Sequence, residues 1–572
     1  MLKKPKTLAG ILFIALILLI IPKETVAQDQ FETSYDIIYK VSSNGETTID
    51  QNIEIKNREE DVLATTYSVT VKQMEIYEVS GTDTAGELEI DVKRDTEKGA
   101  TIINAQLRDK IIGEGRKNEL RISYKTKDLA NKVGSIWNIN LPKTANLSNV
   151  KDYKATLQIP EDFGPLIFIS PTPKEEDESE SFKTYKFSEE ELSGKAVTAA
   201  FGTNQMVNFK LSYHLQNDSL LPSKQEIALP PTIKGQQEIY YKSLEPLPEK
   251  IYEDEDGNIM AIYKVRSKSN EKIQLTGSAK ISGKQIKPSF GGKISSLPPN
   301  LVKMYTQDQE YWETESEKIA KTAEELFDPN DTVSENAQEV YKYITEHLEY
   351  NYDIVQESYI ERQGALEALT RDEAWACMEF TDLFIALTRA MGIPSRELNG
   401  YAFSTAENVV PVSIDLKSGD MLHAWAEYYD PNFGWIPVDP TWGTTSGIDY
   451  FTKLDTNHFA FVIKGLDSKY PYPAGSYRID PNEKQVNVDF AENKIDFTPK
   501  IKIIKKFNWN LLQLIQGKSK YKMTHEEGPI LYNLNKSENS LLPFQNRTVY
   551  LGKEKNKVLY EDYNNVEKNL NL

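Results

Sequence analysis

The sequence predicts a multidomain protein with N-terminal all-β domains, an α+β core beginning near residue 300, and a β-rich C-terminal region. Three observations predict this. Residues 28–295 alternate apolar and polar side chains with period two, punctuated by Gly, Asn and Asp. From about 300 the apolar spacing becomes helical, in SEKIAKTAEELF (316–327) and SENAQEVYKYITEHLEY (334–350). After 401 the strand pattern returns and persists toward the C-terminus.

In chain order, MLKKPK carries Lys3, Lys4 and Lys6, and LAGILFIALILLIIP (8–22) is continuously apolar. Thr25 and Ala27 then stand at the −3 and −1 positions of a cleavage point. Basic start, short apolar run and small-residue exit predict a signal peptide over 1–27 and an extracytoplasmic, secreted or cell-surface location. The run is shorter than the ~20 residues of a usual spanning helix; an uncleaved membrane anchor is the competing reading.

Residues 28–215 form a first β-rich domain, with strands in YDIIYKVSS, TTIDQNIEIKN, ELRISYKTK and DYKATLQIP and a turn at SSNGET (42–47). KEEDESESF (174–182) reads as a solvated acidic loop. A second β-rich region, 216–299, follows the linker LPSKQEIALPPT, with DEDGN (254–258) as a hairpin turn. The core spans 300–470. Residues 471–572 read as a β-rich end with a frayed Asn-, Lys- and Glu-rich tail. Lys500, Lys502, Lys505 and Lys506 there suit an exposed sheet edge, with binding of an anionic polymer as the competing reading.

The chain has 572 residues and a formal net charge of −19, which excludes the basic footprint of a general nucleic-acid binder. Its one cysteine excludes an internal disulfide. That residue, Cys377, lies in WACMEFTDLFIALTRAMGIPSRELNGY (375–401). Phe380, Leu383, Phe384, Leu387, Ala390 and Met391 make one helical stripe, ended by Gly392 and Pro394. Cys377 therefore sits in the first turn of a helix, where unpaired N–H groups and the helix dipole favour a thiolate. A small buried apolar residue is the alternative reading of a free cysteine.

HAWAEYYDPNFGWIPVDPTW (423–442) reads as two strands, 423–429 and 435–441, around the turn DPNFG. With Tyr429 opposite Trp435, Trp425 falls opposite Asp439 and His423 opposite Thr441. Period two then makes His423 and Asp439 diagonal neighbours on one face. Asp430 reads as a turn former. A thiol at a helix start, an imidazole on a strand and a carboxylate beside it form a nucleophile, base and orienter. His214, His347, His458 and His525 read as surface or packing residues. One cysteine and scattered histidines give no metal-ligand spacing.

Cys377 with FTDLFIALTRAMGIPSRELNGY, then HAWAEYY, then GWIPVDPTWG, resembles the core of the transglutaminase-like superfamily in its bacterial extracytoplasmic branch, over about 300–465. The resemblance implies a papain-like α+β core with Cys377, His423 and Asp439 as catalytic triad. It also implies a structural role for Gly392–Arg396 in turning the chain from helix to sheet. One departure is Trp375, where the family usually has glycine two residues before the cysteine. Trp375, and Trp425 on the His423 face, are candidate substrate or oxyanion contacts. The implied function is a thiol enzyme acting on carboxamide or peptide bonds through a thioester, by hydrolysis or by crosslinking. The alternative is a weak or inactive scaffold whose β-domains bind wall or surface partners. Protein or peptide substrates, cell-wall peptides among them, are the expected partners. Nucleic acid is not expected, and membrane contact is expected only through an uncleaved N-terminus. No cofactor is implied; DPNDT (328–332) and DEDGN lack a full calcium ligand set.

Overall fold

The computed structural model describes residues 30–571 except 73, 96–98, 143–149, 180, 193–195, 353–360, 404–413, 416–420, 492–494, 517, 537–539, 553–556 and 563. The expected signal peptide lies outside the described residues. The chain forms two compact units. One is drawn from Met1–Ile37, Asp50–Tyr124 and Leu147–Tyr153, the other from Ile38–Ile49, Lys125–Asn146 and Lys154–Leu572.

The first unit contains an antiparallel three-stranded sheet in the order Thr66–Lys72, Ala100–Gln106, Glu89–Asp95. Its middle strand buries Thr101, Ile103 and Ala105 in alternation, as a half-buried strand should.

In the second unit, one sheet runs in the order Gln237–Glu245, Ser269–Ile281, Gln205–Asn217, Val486–Phe490. Another runs Ser223–Leu229, Ile259–Val265, Lys250–Glu253. Their buried faces share one apolar cluster that includes Leu211, Tyr213, Ile227, Leu229, Met260, Ile273 and Leu275. The predicted DEDGN hairpin is present: Glu253 pairs with Ile259, and Asp254 accepts from Asn258 N at 2.8 Å. The strand Gln205–Asn217 runs through residue 215, where the sequence pattern placed a boundary. Val486–Phe490, expected in the C-terminal region, completes this sheet instead. The same apolar cluster takes in Phe459, Phe461 and Val462 from the core, so burial is continuous across the expected borders.

The core follows the predicted order. Helices span Glu317–Leu326, Val333–His347, Ala365–Thr370 and Cys377–Ala390. Thr332 opens the second with a capping box, accepting from Glu335 N while Glu335 accepts from Thr332 N. The sheet is antiparallel, with Ser395–Ala402 between Met421–Asp430 and His458–Lys464, and Gly434–Val438 paired to Met421–Asp430. The apolar stripe of the Cys377 helix packs Phe380, Phe384 and Leu387 with Val340, Ile344, Ala426, Tyr428 and Val438. Gly392 turns helix into sheet at φ +81°, with nothing within 4 Å of where a Cβ would stand. The need is therefore for left-handed backbone rather than for space.

Three expectations are corrected. Glu175–Glu178, expected in a loop, is an exposed strand paired to Phe182–Ser188, and cross-strand lysines such as Lys186 neutralise its acids. The tail contains the strand Asn546–Gly552, paired with Lys518–Glu527, and a separate pair, Lys557–Glu561 with Glu567–Asn571; together they bury Val549, Leu551, Val558 and Tyr560, so widely spaced apolar residues suffice for small sheets. The strand expected over 435–441 ends at Val438.

Candidate active site

Asp439 is the point where strand becomes helix. Its side chain caps the Pro440–Ser446 helix by accepting from Trp442 N at 2.9 Å. Pro440 takes the first helical position, where a missing N–H costs nothing. The predicted hairpin register holds, with Tyr429 opposite Trp435. The pairing of His423 with Thr441 does not form, because Thr441 is already helical.

The carboxylate's second oxygen faces the sheet. His423 Nε2 lies 2.8 Å and His458 Nε2 3.1 Å from Asp439 Oδ2, and His458 Nδ1 lies 2.9 Å from Asp455 Oδ1. His458 thus belongs to the site, contrary to its reading as a packing residue. Trp442 fixes the rings from the side, at 5.4 Å from His423 and 4.4 Å from His458 between centroids. Gly400 makes the arrangement possible. It pairs with both His423 and Ala460 at a strand irregularity, and a Cβ there would stand 2.0 Å from Phe459 O.

Burial opposes charge on both imidazoles, but the carboxylates outweigh it. Asp439, helped by the Cys377 thiol, pushes His423 up to about 9; Asp455 and Asp439 push His458 to about 9. Burial would raise the Asp439 carboxyl, yet the two imidazoles hold it well below the usual carboxylate range. Three ligand-type atoms, from His423, Asp439 and His458, fall within 4.8 Å of one another. Two imidazole N–H groups donating to one carboxylate oxygen account for that spacing without an ion.

Cys377 is the first residue of its helix, so its backbone N–H has no intrahelical acceptor. It packs on Ala424, beside His423 in the adjacent strand. His423 Nε2 is engaged by Asp439 and its Nδ1 has no hydrogen-bond partner, which leaves Nδ1 for the thiol that raises the ring's proton affinity. The thiol is 1% exposed. Glu379 ties the helix start to the preceding chain by accepting from Ala376 N at 3.2 Å and Gln363 N at 2.9 Å.

Trp375 sits in a two-residue parallel ladder in which it pairs with Tyr350. Both side chains are buried, and neither the Trp375 indole N–H nor the Tyr350 hydroxyl finds an acceptor among the described residues. Burial and the nearby charge of Cys377 both raise the Tyr350 pKa, so the hydroxyl lies in the field of the thiol. Sequence reasoning missed Tyr350, because only the long-range pairing reveals it. Trp425 is placed elsewhere. It packs with Ile233, Leu398, Ala460 and Ile463, edge-on to His458 at 5.0 Å and 6.1 Å from the His423 ring, and its indole N–H also finds no acceptor among the described residues. That position supports the imidazoles.

Residues 320–440 match the model of the transglutaminase-like superfamily. The chain carries a transglutaminase-like core. Two curated relatives align with part of the chain. The uncharacterised protein YebA of Bacillus subtilis (strain 168) is 35% identical over 83 residues, covering 14% of this chain and 11% of that one. An uncharacterised protein of Haemophilus influenzae is 38% identical over 74 residues, covering 11% of this chain and 20% of that one. The chain therefore spans a fifth or less of those relatives. A candidate cysteine protease from Cytophaga hutchinsonii aligns at 18% identity with a TM-score of 0.33, over 50% of this chain and 98% of that chain. A candidate protease of Parabacteroides distasonis aligns at 13% identity with a TM-score of 0.20, over 70% and 66%.

Proposed function

We propose that this protein is an extracytoplasmic cysteine-dependent acyl-transfer enzyme, with Cys377 as nucleophile, His423 as base and Asp439 as orienting carboxylate. The observation that carries the reading is the orientation of His423. Its Nε2 donates to Asp439 at 2.8 Å, leaving Nδ1 without a protein partner beside the Cys377 segment. In the proposed reaction, Nδ1 already holds the thiol proton in a thiolate–imidazolium pair, consistent with the raised proton affinity of the ring, and the sulfur attacks a carboxamide or peptide carbonyl. Asp439 stabilises the imidazolium, which then protonates the leaving ammonia or amine. A thioester remains; water resolves it in hydrolysis, and a lysine amine resolves it in crosslinking. The Cys377 N–H, the Tyr350 hydroxyl and the Trp375 indole N–H are the donors available to a developing oxyanion. The second and third of these are buried without acceptors, a costly state that a substrate oxygen would relieve.

The basic and apolar N-terminus supports export, and cell-wall peptides or surface proteins are the substrates that such a location offers. The near-complete burial of Cys377 favours a second reading, a weak or inactive scaffold. An acyl-donor probe separates the two. Wild type should form a thioester that hydroxylamine releases, and Cys377→Ala should not. Tyr350→Phe, which keeps the ring, should acylate on the order of 100-fold more slowly while small alkylating reagents still modify the thiol. Absence of acylation in folded wild type, with peptide and amide probes alike, would establish the scaffold reading.

A further inference from the structure

The chain's charge is distributed unevenly. Although the formal net charge is −19, residues 500–522 contain Lys500, Lys502, Lys505, Lys506, Lys518, Lys520 and Lys522 and no Asp or Glu. They form an antiparallel hairpin, with Lys500–Lys506 as the edge strand of a three-stranded sheet next to Lys518–Glu527. Register pairs Lys506 with Lys520 and Ile504 with Lys522. Period two therefore places Lys502, Lys506, Lys520 and Lys522 on one face, around Ile504. Lys500 is paired to Glu527 at 2.8 Å. Among the described residues the four lysines of that face have no carboxylate partner.

The connection between the two strands is the opposite of a usual polar loop. It reads FNWNLLQLIQG, and Phe507, Trp509, Leu512 and Ile515 are 71%, 85%, 70% and 75% exposed. They stand out because the neck beneath them is closed. Asn508 is buried, donates to Lys518 O at 3.0 Å and accepts from Asn510 N at 3.0 Å. A short helix, Leu511–Ile515, follows, and the Phe507 and Trp509 rings meet at 4.6 Å. Four large apolar side chains grouped at one tip are far more than scattered surface residues would give.

We propose that this hairpin seats the protein on an anionic lipid surface, with the Phe507–Ile515 tip in the headgroup–acyl boundary and the lysine face over the phosphates. The two halves of the patch match the two layers of a membrane interface. Tryptophan and aliphatic side chains favour the boundary, and unpaired lysines favour anionic headgroups. Lysine is depleted at protein–protein interface cores, and a soluble polyanion would have no use for the apolar tip. The contact is independent of residues 8–22 and of the proposed chemistry at Cys377.

The test uses the full chain with a local reporter. An environment-sensitive dye is attached to Gln516→Cys in a Cys377→Ser background, so that binding through another segment leaves it silent. With phosphatidylglycerol–phosphatidylcholine vesicles the dye should shift to the blue and brighten. On phosphatidylcholine alone, or in high salt, binding should weaken by at least ~10-fold. Replacing Phe507, Trp509, Leu512 and Ile515 with Ser should abolish the shift while the circular dichroism spectrum is kept. The proposal is overturned if the chain sediments with anionic vesicles but the dye does not respond. It is equally overturned if a soluble polyanion gives the same blue shift, or if the shift follows protein concentration without vesicles, which would mark a polymer site or a self-association surface.

Discussion

Asp439→Asn offers a test of the site that needs no substrate. Both imidazoles that share this carboxylate titrate at about 9 instead of 6.5. A group whose proton affinity rises on folding stabilises the fold most when it is protonated in both states. That stability is complete below about pH 6.5 and is lost as pH climbs through about 9. The step from 6.5 to about 9 corresponds to ~3 kcal/mol for one ring, and the shared oxygen keeps the pair from contributing twice that. Both rings are fully enclosed, so solvent does not screen the interaction. Asparagine keeps the size and one hydrogen bond but removes the charge. The variant should therefore be less stable than wild type by ~3 kcal/mol near pH 6 and by ~1 kcal/mol or less near pH 9.5. Urea unfolding followed by tryptophan fluorescence at the two pH values measures this. The difference between proteins cancels every other titrating group. If wild type and variant show the same pH dependence, or differ equally at both pH values, the charged His423–Asp439–His458 assembly is refuted.

Further expectations rest on other contacts. Asp430, read from sequence as a simple turn former, is fully buried and accepts from Gly292 N, Ser334 Oγ and Asn432 N. Asp430→Asn should therefore destabilise by ~1–3 kcal/mol, seen as a lower urea midpoint, rather than being mild. Gln237→Ala and Asn258→Ala should each cost ~2 kcal/mol, because each strips a backbone N–H and a C=O of their partners; amide exchange along 458–464 should accelerate in both. A fragment ending at 295, which the sequence pattern suggests as a free-standing piece, should fail to melt cooperatively. It would expose the sandwich surface covered by Phe459, Phe461, Val462 and Val486, and a cooperative melt of that fragment in calorimetry would refute the shared core.

Local features were legible in the sequence and distant ones were not. The Tyr429–Trp435 register could be read because a two-sided alternation and a five-residue turn constrain each other. The helix behind Cys377 could be read because its apolar stripe and Gly392 both mark it. The capping role of Asp439 was not read, although Asp followed by Pro suits a helix start, because the strand pattern before it concealed the change. His458, Tyr350 and Asp430 could not be assigned by the same means. Their partners lie 19, 25 and 138 residues away, at Asp439, Trp375 and Gly292, and no spacing rule links them. The same holds for Arg389, a helix-end residue by pattern. In the fold it is buried against Trp312 and donates to the carbonyls of Gln307, Ser395 and Gly465.

The strand His458–Lys464 is the outer strand of its sheet, and its open side is met by side-chain amides rather than by another strand. Gln237 exchanges hydrogen bonds with Ala460 N and O at 2.9 Å, and Asn258 does so with Ile463 N and O at 2.8 Å. Asp256 takes the next N–H groups, of Gly465 and Leu466. These are sequence-specific clasps, unlike a backbone ladder, which any extended segment could supply. The core is therefore not a cassette. Grafted onto another protein without 204–281, it would carry a bare adhesive edge in the very strand that begins at His458, and its first loss would be solubility, ahead of any chemistry. Evolutionary shuffling of this core should have to move sandwich and sheet together, as one heritable block.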